Sequence, residues 1–243
     1  MEIIMNYRDR LAKAIQHFWS VRTQQHKNQG YASGVKDSGT RGAVTGGKHL
    51  DGFIDLVKEL LSEAGLADSS IYTKTTTLPG YFRPTKDWDL VVVVDHQLLA
   101  SIEFKAQVGS FGNNYNNRVE EALGSATDLL TAYREGKFKP SQKPWLGWLM
   151  LLEDSEKSTS PVKVKEPHFE VFPEFKNASY AQRYEQFCER LVREQFYDAT
   201  CLLMSNEAMG LQGEYSEPNE ELGFNNFITS LMGRAIAYAK MRE

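Results

Sequence analysis

Asp89, Glu103 and Lys105 are the residues of this chain whose types and spacing suit chemistry. They stand at the ends of two apolar runs in KDWDLVVVVDHQLLASIEFKAQ, residues 86–107. The pattern predicts strands over 90–94 and 98–104, joined by Asp95-His96-Gln97. Side chains alternate along a strand. Asp87, Asp89, Val91 and Val93 are therefore expected on one face, and Trp88, Leu90, Val92 and Val94 on the other. Glu103 and Lys105 likewise share a face opposite to Ile102 and Phe104. If Val94 pairs with Leu98, Asp89 falls across from Glu103, with Cβ atoms roughly 5 Å apart. Asp87 then faces Lys105 and is the rival to Asp89.

Like charges directly opposite destabilise a sheet, and a divalent cation between them reverses the penalty. Carboxylate oxygens on neighbouring strands suit Mg2+, which keeps several waters and completes its shell with phosphate. Such an ion polarises a phosphoryl oxygen and lowers the pKa of water. Lys105 can orient that water and offset charge developing on the phosphate. The chemistry implied is hydrolysis of a phosphodiester. The same D…ExK pattern also arises by chance as a solvated strand edge, so its surroundings decide.

Those surroundings read as helices around a run of strands. An amphipathic helix is expected over 7–23, with Leu11, Ile15, Phe18 and Trp19 inward. Residues 29–49 hold six glycines without periodicity, a long irregular segment of the kind that carries function or disorder. In it Arg41 and Lys48 lie among glycines that let backbone amides approach a phosphate. No Lys-Ser/Thr ending marks a P-loop there. A second helix follows from His49 to Gly65, with Asp51 at its start as a candidate further metal ligand or a simple helix flank. A threonine-rich strand is expected over 71–78, ended by Pro79-Gly80. After the hairpin, 108–117 reads as a Gly/Asn loop and 118–134 as a helix. Residues 145–152, WLGWLMLL, suit a central buried strand. A lysine-rich loop follows over 154–167, then a helix over 179–196, a strand over 199–204 and a terminal helix over 225–241. This is α/β (α+β): a single domain over 1–243 with a central mixed sheet flanked by helices. It divides into an N-terminal helix and Gly-rich loop (1–50), a core (51–205), and an acidic loop with the last helix (206–243).

The 243 residues carry a net charge of −4, which argues against a generic cationic nucleic-acid coat. The charge is uneven: eight Lys or Arg against three acids in 1–50, and five glutamates without a base in 206–223. Such asymmetry permits a local phosphate-binding face. No apolar run reaches membrane-spanning length, no signal peptide is apparent, and Cys188 and Cys201 have neither metal nor disulfide spacing. A cytoplasmic protein is expected. None of the five histidines has a spaced partner, and His49 and His96 read as loop residues.

The segments TLPGYFRPTKDWD, IEFKAQVGSFGNNYNNRVEEALGSATDL, GWLMLLED and PHFEVFPEFKNASYAQRYE resemble the XhoI-type family of type II restriction endonucleases. The resemblance runs from about Gly39 to Tyr184. It implies a restriction-endonuclease-like PD-(D/E)XK core, with Asp89 and Glu103 as metal ligands and Lys105 as the third catalytic residue. Trp88 stands where that superfamily's name has proline, a position that contributes no ligand. The family implies a homodimer that cuts 5′-CTCGAG-3′ in double-stranded DNA with Mg2+, leaving 5′ overhangs. A cognate DNA methyltransferase is implied as a genetic partner. A dimer suits a palindrome because their two-fold axes coincide. Asn113, Asn114, Asn116, Asn117 and Arg118 are candidate base readers, since Asn pairs with adenine and Arg with guanine; a helix N-cap is their structural alternative. Arg41, Lys48 and the lysines of 157–165 are candidates for phosphate contacts. A structure-specific or repair nuclease, or an inactive DNA-binding module, are the alternatives.

Overall fold

The apolar runs form a five-stranded mixed sheet in the order β1-β4-β5-β6-β7, and a separate two-stranded hairpin pairs β2 with β3. The computed structural model describes residues 7–33 and 48–241, with side chains over 7–25 and 48–241. The strands are β1 (Ile71–Tyr72), β2 (Thr77–Pro79), β3 (Thr85–Asp87), β4 (Leu90–Val94), β5 (Gln97–Gln107), β6 (Trp145–Glu153) and β7 (Ala199–Ser205). Five longer helices accompany them: α1 (Tyr7–Ser33), α2 (Asp51–Glu63), α3 (Phe111–Arg134), α4 (Tyr180–Arg193) and α5 (Phe224–Lys240). β4 and β5 are antiparallel, and β5, β6 and β7 run parallel through crossovers containing α3 and α4.

Alternation along the strands builds two cores. Leu90, Val92, Ile102, Phe104, Leu149 and Leu203 pack with α1, α2 and α5. Val91, Trp148, Met150 and Leu202 pack with α3 and α4 on the other face. Burial on both faces explains why β6 and β7 read as nearly continuous apolar runs.

Several sequence expectations are corrected. The first helix extends to Ser33, so the Gly-rich segment begins later than expected; residues 34–47, with Arg41, lie outside the described residues. The strand expected over 71–78 splits, because only Ile71 and Tyr72 pair with β4 whereas 77–79 pair with β3. The β4–β5 turn has two residues, Asp95 and His96, at φ 46° and 61°, and Gln97 pairs with Val94. Positive φ at both central positions matches the twist of a two-residue hairpin. A bulge between Val92 and Val93 then shifts the register by one, so Leu90 meets Ile102 as the longer turn would have had it. α3 starts at Phe111 rather than Arg118. Its buried face, Phe111, Tyr115, Ala122 and Ala126, begins inside the Asn-rich run, whose polarity masked the helical period.

Candidate active site

β5 is eleven residues long and β4 only five, so β5 overhangs its partner after Ile102. Asp89 closes the gap: its backbone N–H donates to Ile102 O at 3.2 Å, and its Oδ2 accepts the Phe104 N–H at 2.7 Å. A carboxylate thus takes the place of the next backbone acceptor in the ladder. Glu103 and Lys105 project from the overhang on the α3/α4 side.

Trp88 and Asp87 do not follow the expected alternation. The chain bends at Trp88-Asp89, and Trp88 packs with Val91 rather than with Leu90 and Val92. Asp87 does not face Lys105. It lies in β3, is exposed, and accepts from the Thr77 hydroxyl. Of the two aspartates, Asp89 alone joins Glu103 and Lys105.

Glu103 is 3% exposed and meets two lysines at one oxygen. Lys105 Nζ lies 2.5 Å and Lys86 Nζ 3.2 Å from Oε1. Burial pushes the Glu103 carboxyl up, but the two ammonium groups outweigh it and hold the group below the usual glutamate range. Its other oxygen, Oε2, is buried without a hydrogen-bond partner. Asp89 goes the other way: burial raises it, and the Lys105 charge and the Phe104 N–H bond compensate only in part. An unpartnered buried oxygen is costly, and so is a carboxylate whose charged form is disfavoured; both costs fall when a cation sits against them. Among the described residues no cluster of three or more His, Cys, Asp or Glu side chains forms. Two carboxylates, with the balance left to water and phosphate, fit Mg2+ better than a dedicated protein cage.

The site opens into a cleft of about 280 Å3 whose lining includes Asp89 and Lys105. Gly109 and Ser110, both at positive φ, turn the chain from β5 into α3. This swings Asn114 and Arg118, one helical turn apart, into the cleft lining. The remaining asparagines do not join them. Asn113 and Asn117 are exposed, and Asn116 lines a larger cavity of about 900 Å3 between α3, α4 and the 164–175 loop. That cavity holds none of the three motif residues, so its size does not make it the reaction centre. Asp51 is exposed in the first turn of α2 and is not part of the cleft lining, and Lys48 and the lysines at 157, 163 and 165 are exposed.

Sequence reasoning missed Lys86, Arg22 and His49. Lys86 also lies over the Trp88 ring, 4.5 Å from its centroid, and nothing in its neighbourhood singled it out. Arg22 had a signal: it continues the spacing of Leu11, Ile15 and Phe18, a charged residue on an apolar helical stripe. His49 is no loop residue; it is 6% exposed within a short 3-10 turn, Lys48–Leu50.

The family model of the restriction endonuclease XhoI matches residues 29–217. The type II restriction enzyme BstVI of Geobacillus stearothermophilus is 58% identical over 208 residues, 83% of this chain and 92% of the relative. The type II restriction enzyme XhoI of Xanthomonas vasicola is 45% identical over 193 residues, 77% of each. The type II restriction enzyme AbrI of Azospirillum brasilense is 46% identical over 169 residues, 68% and 75%. No solved structure matches.

Proposed function

Because the chain belongs to the XhoI restriction endonuclease family, whose members are type II site-specific deoxyribonucleases acting on double-stranded DNA with a divalent cation, we propose that it makes Mg2+-dependent double-strand cuts at 5′-CTCGAG-3′, leaving 5′ overhangs. The observation that carries the site assignment is the buried, unpartnered Oε2 of Glu103 beside Asp89 at the end of a cleft. Asp89 and Glu103 hold the cation. When bound, Mg2+ supplies Lewis acidity at the phosphate and a more acidic water.

The protein's own groups supply the rest. Phe104 N–H and the bend at Trp88-Asp89 fix the Asp89 carboxylate. Lys86 and Lys105 tether Glu103 through Oε1 and leave Oε2 free for the metal. Lys105 also lines the cleft, where its ammonium orients the attacking water and meets charge developing on the phosphate. Asn114 and Arg118 are the best-placed readers of base edges. Asn113, Asn116, Asn117 and Lys48, which are not part of the cleft lining, are proposed to contact DNA beside it, and Arg41 is proposed as a further phosphate contact. The enzyme acts as a homodimer, each copy cutting one strand of the palindrome, in a cytoplasm whose own sites a partner methyltransferase protects.

The test is digestion of a sequenced plasmid with Mg2+, with the ends mapped. Discrete fragments that vanish when every CTCGAG is destroyed support the reading; scattered or structure-dependent cuts refute the specificity. Glu103→Ala and Lys105→Ala are expected to bind the site without cutting it, and unchanged cutting by either one rejects the assignment.

A further inference from the structure

Arg22 stands on α1, N-terminal to the segment matched by the family model, yet it lines the same cleft as Asp89 and Lys105. Only 5% of it is exposed, and its Nε is buried without a hydrogen-bond partner. The guanidinium lies against the Phe18 ring, 5.8 Å from the centroid, with Glu153 and Glu207 as its nearby opposite charges. Beside it His49 is 6% exposed, and its Nδ1 is likewise buried and unpartnered. Burial, with Arg22 and His17 adding to it, lowers the imidazole to about 4, so it is neutral at ordinary pH and adds no repulsion.

A guanidinium is always charged, and leaving its buried Nε–H dry is costly unless something arrives to accept from it. Among the described residues that line the cleft, Arg22, Lys105 and Arg118 are cationic and Asp89 is the one carboxylate. Lys105 and Arg118 already face carboxylates, Glu103 at 2.5 Å and Glu121 at 2.6 Å, so the donor that calls for an anion is the unpartnered Arg22 Nε. A backbone phosphate entering the cleft that Asp89 and Lys105 line would meet it. We infer that Arg22, seated beside the buried His49, binds a phosphodiester oxygen within one nucleotide of the cut, forming an anion subsite on the α1 side of the cleft that Asn114 and Arg118 also line. This rests on the nuclease reading above. It gives α1 a part in the reaction and makes the planar fork of arginine, rather than charge alone, the requirement.

The experiment uses the full chain and duplexes carrying the mapped cleavage site, each with one phosphate replaced by a neutral methylphosphonate. Binding is measured by fluorescence anisotropy in the Lys105→Ala background, so that no strand is cut. With Arg22 present, one analogue position within a nucleotide of the cut is expected to weaken binding tenfold or more. With Arg22→Met, which keeps the aliphatic stem on Phe18, that same position should cost less than twofold. In the otherwise wild-type enzyme, Arg22→Met should slow single-turnover cleavage at least ~100-fold, the usual scale for losing one preorganised donor. Should Arg22→Met fail to fold, Arg22→Lys carries the test: the penalty at that position should shrink at least threefold, because one ammonium replaces the fork. An unchanged analogue profile in the variants, or coupling only at distant phosphates, overturns the inference. A wild-type protein that cuts no DNA removes the function on which it rests, and the plasmid digestion reveals that separately.

Discussion

Replacing Asp128 tests how far the tip of the β2–β3 hairpin depends on one carboxylate. Asp128 is 2% exposed on α3. Its Oδ1 accepts the N–H groups of Tyr81 at 2.6 Å and Phe82 at 2.7 Å, and its Oδ2 accepts the Arg83 guanidinium at 2.9 Å. The Arg83 N–H, at 3.4 Å, adds little. Three good bonds to a charged group total roughly 4.5–9 kcal/mol at about 1.5–3 each. Burying the carboxylate offsets several kcal/mol of that, and water can reach Tyr81 and Phe82, which are 55% and 68% exposed, once it is gone. A net loss of about 2–4 kcal/mol is therefore expected for Asp128→Ala, and about 1–2 for Asp128→Asn, which keeps an acceptor. For a chain of this size that lowers Tm by roughly 4–16 °C and 2–8 °C respectively.

The pH dependence follows from the same contacts. Burial pushes the Asp128 carboxyl up, but the Phe82 N–H, the Arg83 guanidinium and the Tyr81 N–H outweigh it and hold the group below 3.8. A lowered folded pKa contributes stability that is present above 3.8 and lost as pH falls through the lower folded value. The gap between wild type and Asp128→Asn should thus be flat from pH 7 to 5 and close below about pH 4. Urea denaturation at each pH measures it, and thermolysin nicking around residues 81–84 should accelerate in the alanine variant. A loss under 0.5 kcal/mol, or a gap that widens in acid, would refute the role of Asp128 in holding the hairpin tip.

Three further outcomes are expected. In EDTA, Asp89→Asn should be more stable than wild type at pH 7, because a raised carboxyl pKa means the fold disfavours the charge; the difference should vanish as pH falls to 3.8. Mg2+ at 100 times its Kd should raise the wild-type Tm by roughly 5–11 °C, the equivalent of about 2.7 kcal/mol, and leave Asp89→Asn unmoved; differential scanning fluorimetry decides both. Lys86→Met should lower the Mg2+ concentration for half-maximal cleavage several-fold, since it removes a positive charge from the Glu103 carboxylate. An unchanged midpoint would mean that Lys86 has no say in metal binding.

The strand register at the candidate site was legible because it is local. Two apolar runs around a short turn leave few pairings, and a one-residue error in the turn was cancelled by the bulge before it reached Leu90 and Ile102. Asp87 was misplaced because strict alternation assumes one continuous strand, whereas the bend at Trp88-Asp89 hands residues 85–87 to another sheet. The asparagine run was read as one cluster; a helix disperses consecutive side chains around its axis, so only Asn114 and Arg118 reach the cleft. Arg22 and His49 come to the cleft that Asp89 lines only through the packing of α1 and the turn before α2 on the sheet, and no spacing rule spans such distances. Arg22 on its apolar stripe was the one visible sign.

The margins of the sheet bear on how two copies can join. A free strand edge invites a second chain to extend the sheet. Here β7 is buried throughout, and its outer edge is occupied where Met204 and Ser216 exchange both backbone hydrogen bonds. On the opposite margin β1 offers two residues, and the Tyr238 hydroxyl donates to Val94 O at the end of β4. Among the described residues neither rim offers a template long enough for another strand. If two copies pair as the proposed function requires, the described residues leave helix faces and loops for the contact, where a modest change in side chains would alter the spacing between the two sites without disturbing the sheet.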